Sequence, residues 1–185
     1  MNRTRTRTLA ASAAVLATAV GLAAPASAAP AKKDGRDPQT VALVASIAST
    51  YGVYDKDLDR AYADGFQQAG ECEADPAGSG AKGIAFVDWQ QVVDGFDPAH
   101  PAVLRYRTDD HGRYRLVGAE FLVFDADQDA STVEPLRFGS VPLNGPLRLD
   151  GDGPLVYELP VWAWKHEVAG TFADWNAQVS CPDLH

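Results

Sequence analysis

Cysteine is scarce in this chain: Cys72 and Cys181 are the only two among 185 residues. Neither stands in a C-x-x-C pair or at metal-ligand spacing from a histidine, which excludes the common zinc and redox motifs. Positive charge is in deficit as well, with 16 Lys and Arg against 25 Asp and Glu. That balance argues against nucleic acid and anionic membrane surfaces, both of which demand a basic footprint. Long apolar runs are limited to Leu9–Ala24, which is short for a membrane span. Sequence-local catalytic signatures are also missing. There is no G-x-S-x-G elbow, so Ser79 in GSG reads as a loop residue; there is no phosphate loop or G-x-G-x-x-G; and His166-Glu167 has no second histidine four residues after the first. Glycosidase-type carboxyl pairs are set by space rather than by spacing, so no pair can be chosen from the acids of the sequence alone.

What is present begins with a leader. Arg3, Arg5 and Arg7 precede the Leu9–Ala24 run, and Ala26-Ser27-Ala28 is a small-residue cleavage site. Residues 1–28 therefore read as a secretory signal peptide, an uncleaved anchor being the alternative. Cleavage takes the net charge from −9 to −12 by removing those three arginines. In an oxidising compartment Cys72 and Cys181 are expected to pair. Residues 29–36 read as a flexible leader and 37–185 as a single domain.

Asp37-Pro38 is an N-cap followed by proline at the first helical position, and Val41, Val44, Ile47 and Ala48 recur at near-helical spacing before Gly52. A second helix, capped by Asp55, is expected along the stripe Leu58, Ala61, Tyr62, Gly65 and Phe66. The pattern then turns to alternation. Strands are expected at Gly83–Trp89, Val103–Arg107, Arg113–Phe124 and Leu155–Lys165, with a hairpin loop at Thr108–Gly112 whose His111 reads as an exposed turn residue. Helices first and antiparallel strands afterwards define an α+β class, with one or two N-terminal helices on one face of a sheet of about four strands.

Strand alternation also nominates a site. On Leu155–Lys165 one face carries Tyr157, Leu159, Val161 and Ala163; the other carries Glu158, Trp162, Trp164 and, beyond them, His166. Pro160 suggests an edge or a bulge there. On Arg113–Phe124 the row Tyr114, Leu116, Gly118, Glu120, Leu122 and Phe124 holds one carboxylate among apolar neighbours, which must meet a partner such as Arg105 or Lys165, or line a pocket. Trp162, Trp164, Glu120, His166 and Glu158 are thus the candidate ligand-binding set; the alternative is that the tryptophans are core and the segment through Phe172, Trp175 and Cys181 is a C-terminal clasp. Asp125, Asp127 and Asp129 alternate as calcium loops do, without the glycine and glutamate of an EF-hand, so calcium is the one cofactor considered and otherwise none is expected.

The stretches ADGF, KGIAFVD, DPAHPAVLRY, GRYRLVGAEFLVFDAD and VWAWKH…GTFADWN…VSC resemble a family of uncharacterised secreted actinobacterial proteins, from about Asp59 to Cys181. The resemblance implies no established activity. It implies histidines at the positions of Ala85 and Pro160, which with Glu120 could form a metal site; this chain keeps Glu120 and His166 and has neither histidine. The expectation is a secreted, non-catalytic binding or cell-envelope-associated module for an unknown extracellular ligand. The alternative is a metal-dependent extracellular enzyme or a degenerate relative of one.

Overall fold

The computed structural model describes residues 35–167 and 169–182; the expected signal peptide and most of the leader lie outside them. Helix α1 (Pro38–Tyr51) starts where the sequence says it should. The Asp37 side chain accepts the Thr40 N–H at 3.0 Å, and Gly52 ends the helix. Its buried side is Thr40, Ile47 and Tyr51, while Val41 of the expected stripe is exposed. A single 3-10 turn (Gly52–Asp55) leads to α2 (Leu58–Ala63).

The second helix departs from expectation at both ends. Asp57, not Asp55, is its cap; Asp55 instead accepts the Leu116 N–H at 3.0 Å and faces Arg115. The helix stops short of Gly65, which takes φ 104. Phe66 N–H then donates to Ala61 O and Gly65 N–H to Tyr62 O, a Schellman stop that satisfies the last carbonyls. Phe66 is buried as the apolar residue that follows such a stop.

The sheet is antiparallel, curled and six-stranded rather than about four-stranded, with strand order β1-β2-β3-β4-β8-β7. The four expected strands are β2 (Ala81–Val87), β3 (Val103–Thr108), β4 (Tyr114–Phe124) and β8 (Leu155–Val161). The two additions are the edges, β1 (Gln67–Ala74) and β7 (Asn144–Arg148). Between β4 and β7 lies a two-residue hairpin, β5 (Arg137–Phe138) with β6 (Val141–Pro142). A short helix, α3 (Trp89–Asp94), follows β2. Among the described residues no helix is long and apolar enough to cross a membrane.

Pro160 does not mark an edge strand. β8 lies between β4 and β7, and its proline falls beyond the last β7 pair, Asn144 with Glu158. The strand also ends at Val161 rather than Lys165, because Trp162 N–H turns to Thr171 O at 2.9 Å.

One face of the sheet packs under the helices. Phe86, Leu104, Tyr106, Phe121, Tyr157 and Leu159 meet Ile47, Tyr51 and Phe66 from the N-terminal segment, and Phe172 from the C-terminal one. Here strict alternation fails once. Arg105 pairs with Gly118 but Tyr106 with Leu116, so Val117 is an extra residue in β4. That bulge shifts the pattern by one and places Tyr114 and Leu116 on the same side as Ala119 and Phe121, not beside Glu120.

The tail closes as a clasp. Cys72 and Cys181 form a disulfide over 109 residues. Buried Asn176 exchanges backbone hydrogen bonds with Ala81, both at 3.1 Å, and buried Glu167 accepts the N–H groups of Ala169 and Ala177.

Candidate functional site

The opposite face of the sheet carries a row of ionisable side chains, one from each of five adjacent strands: Glu73 (β1), Lys82 (β2), Arg105 (β3), Glu120 (β4) and Glu158 (β8). Simple alternation brings Arg105, Glu120 and Glu158 to this face. Lys82 arrives by a second bulge: Ala81 pairs with Ala74 and Gly83 with Glu73, leaving Lys82 as the extra residue. Gly83 makes the bulge feasible. It takes φ +82, and a Cβ there would lie 2.3 Å from Tyr106 O.

Glu120 is 1% exposed, and the expected partner is found. Arg105 Nε and Nη2 reach Glu120 Oε2 at 2.6 and 2.5 Å, and Arg105 Nη1 reaches Glu73 at 3.1 Å. Lys82 Nζ stands 3.3 Å from Glu158, 3.7 Å from Glu120 and 4.0 Å from Glu73, with the Trp175 ring 5.5 Å away.

The two buried carboxyls are driven apart. Burial pushes Glu120 up, but Arg105 and then Lys82 outweigh it and hold the carboxyl below its ordinary range. Glu158 has no arginine. Burial first, and then the charge of Glu120, push it up to about 7, with Lys82 opposing. Glu120 is therefore the more acidic of the two carboxyls and Glu158 the one that holds its proton more tightly. Lys82 and Arg105 stay protonated: burial works against both cations, and Glu120 first, then the other carboxylates of the row, more than restore them.

This row forms one end of a cleft of about 560 Å³. The floor beyond it is aliphatic: Ala85, Val87, Val103, Leu122 and Val156. Trp89, 44% exposed, and Leu147 stand at the rim. A larger depression, about 720 Å³, lies beside the disulfide. Its ionisable lining is Glu71 and Asp75, and Asp75 is spent on the Ala77 and Ser79 N–H groups of its own turn. Charge and apolar surface converge in the first cleft, not the second.

Of the sequence-nominated set, the structure brings Glu120 and Glu158 together. Trp162 is on the same side of the sheet but 5% exposed, packed over Gly118, with its indole N–H donating to Ala173 O at 2.8 Å. Trp164 leaves the sheet and donates to Ala48 O of α1. His166 is exposed beyond β8 and is outside the cleft lining. The two tryptophans thus form no common platform; the half-exposed ones near the charged row are Trp89 and Trp175. Lys82 and Glu73 were not singled out by sequence reading. The available signal was a lysine next to glycine inside the otherwise apolar AKGIAFV.

Ala85 lines the cleft and Pro160 stands opposite Glu120. Glu120 is held by Arg105 and Lys82. Asp125 directly follows β4 and is buried, whereas Asp127 and Asp129 are exposed and bonded to Thr132 and Ser131. Among the described residues no three His, Cys, Asp or Glu side chains are arranged to hold a metal ion. Comparison with protein-family models, curated proteins and solved structures finds no match.

Proposed function

We propose that the chain is a secreted, non-catalytic binding module whose ligand is a small amphiphilic cation held in the cleft on the open face of the sheet. The observation that supports this is the layering of charge. The cations Lys82 and Arg105 are buried beneath carboxyls, and within the row the groups nearest solvent are Glu73 and Glu158, 46% and 21% exposed. The rim adds exposed Glu71 and Asp150 and one exposed cation, Arg148, which donates to Gly153 O. An incoming molecule meets acid first and aliphatic floor second. A cationic head would displace the proton on Glu158 and take its place as the carboxylate partner, while an apolar body would lie on Val87, Val103 and Leu122 under Trp89. The net negative charge of the chain favours approach of the same class of ligand.

The reading is tested with two size-matched probes of opposite head group, n-octylammonium and n-octanoate, followed by NMR shifts of the Trp89 and Trp175 indoles. Saturable shifts with the ammonium, reduced in a Glu73→Gln/Glu158→Gln variant, are expected. Equal response to the carboxylate, or no response to either, contradicts it.

A further inference from the structure

We propose that the loop after β4 is a calcium site in which Asp125 is the buried ligand and Asp127 and Glu134 complete the carboxylate set. This site is separate from the cleft and does not rest on its reading.

Asp125 is 2% exposed, yet neither of its carboxyl oxygens has a hydrogen-bond partner among the described residues. Buried polar atoms are nearly always satisfied, so an orphaned carboxyl demands an explanation. The side chain cannot be relieved by a shift of the backbone, which is pinned on both sides. Asp125 N–H donates to Leu155 O at 2.8 Å, and Asp125 O accepts from Gln128 Nε2 at 2.7 Å. Gln128 in turn bridges to Leu155 by both its amide atoms, each at 2.8 Å. The carboxyl is thereby locked at the junction of β4 and β8.

Its surroundings are acidic. Burial pushes Asp125 up, and the neighbouring charges of Asp127 and Glu134 push it further; among the described residues no lysine or arginine forms an ion pair with it. The Asp127 N–H and the Glu134 carboxyl are close enough to perturb Asp125 but not placed to satisfy it. Glu134 is itself positioned: its Oε1 accepts the Ala126 N–H at 3.1 Å, and its own N–H donates to the Tyr157 hydroxyl at 2.7 Å. A buried carboxyl with acidic neighbours and no basic one must be neutralised by a proton or by a cation. The donors are all hard oxygens, on an Asp-x-Asp stretch, which is the chemistry of calcium rather than of a transition metal.

Asp129 is not needed, because Ser131 takes its carboxylate through both N–H and hydroxyl. Asp127 is bonded to Thr132 Oγ1 and to the Asp129 N–H, so the ligands do not converge until it gives up the Thr132 contact. Because Asp127 and Thr132 are both exposed, that exchange disturbs no core residue. Such a late-closing site belongs to the weak class of extracellular calcium sites, with dissociation constants of about 0.1–1 mM.

The test uses the oxidised, secreted protein stripped with a chelator, dialysed and titrated with calcium chloride by calorimetry and by thermal melting. Expected is saturable binding of a single ion in that range, with a raised melting midpoint and a weaker response to magnesium. Asp125→Asn, which retains shape and loses charge, abolishes the response while near-ultraviolet dichroism stays native; Glu134→Gln weakens it and Asp129→Asn leaves it unchanged. Absence of any calcium response up to about 10 mM, well above that class of sites, overturns the proposal and leaves Asp125 neutralised by a proton. So does calcium binding that survives Asp125→Asn.

Discussion

The two faces of the sheet solve different problems with the same strands. On the helix side, aromatic rings interlock: Phe86 meets Tyr106 with centroids 4.9 Å apart, and Phe121 meets Phe138 at the same distance. On the open side, the neighbouring positions of the same strands hold Arg105, Glu120 and Glu158 at the end of a cleft. The first face is what a fold needs. The second is costly to the fold, since each buried charge must be desolvated, and the attraction between them offsets that cost only where geometry is good. A face that carries such groups beside exposed Trp89 is the one to be explained by binding.

The comparison is broken most visibly on the helix side. Phe121→Ala, which removes a ring touching both Phe96 and Phe138, is expected to cost about 3–5 kcal/mol in urea denaturation. A loss below about 1 kcal/mol would mean this face is not the core, by the same scale.

Next in size is Glu158. A carboxyl whose folded value is raised from 4.5 to about 7 binds its proton more tightly in the folded protein than in the unfolded chain. Its contribution to stability is therefore greatest below pH 4.5 and is lost as pH rises through 4.5 to about 7. Glu158→Gln keeps a hydrogen-bond donor toward Glu120 and an acceptor for Lys82, and removes the titration. It should raise stability at pH 8 by about 1–3 kcal/mol and leave it nearly unchanged at pH 4, flattening the profile. An unchanged slope between those pH values would show that Glu158 titrates like an ordinary surface glutamate.

The smallest effect is expected at the cleft rim. Trp89→Ala should change stability by no more than about 0.5 kcal/mol, as at other exposed positions, while reducing the indole-detected response to n-octylammonium at Trp175.

Much of this was legible in the residues. The α1 cap at Asp37 and Pro38, the four central strands, the disulfide and the need of Glu120 for a cation all follow from local chemistry. The edge strands were not: β1 reads QQAGECEA, polar and exposed, and is held by its pairing with β2 and by the disulfide rather than by side-chain burial. The second helix was overextended because Gly65 and Phe66 fit the helical stripe and also fit the stop signal that they form. The tryptophans misled for a related reason. Trp162 and Trp164 alternate correctly for one face, but β8 ends before either of them, so the chain sends one over Gly118 and the other to α1. Lys82 and Glu73 reach the charged row through the irregular pairing of β1 with β2, and a bulge is a property of strand pairing that no single strand displays.

The central claim is that the charged row is maintained for what it presents to the cleft and not for the stability of the fold. It is tested most directly by the quadruple variant Lys82→Met/Arg105→Met/Glu120→Leu/Glu158→Leu, which replaces the whole buried cluster including the carboxyl assigned to the ligand, compared with the natural sequence by urea denaturation at pH 7. The account predicts a stability equal to that of the natural chain or up to a few kcal/mol higher, as when buried ion clusters are replaced by apolar groups of similar volume, with the response to n-octylammonium gone. A loss of more than about 3 kcal/mol, the cost of breaking an ion pair the fold depends on, would make the row a structural element and contradict it.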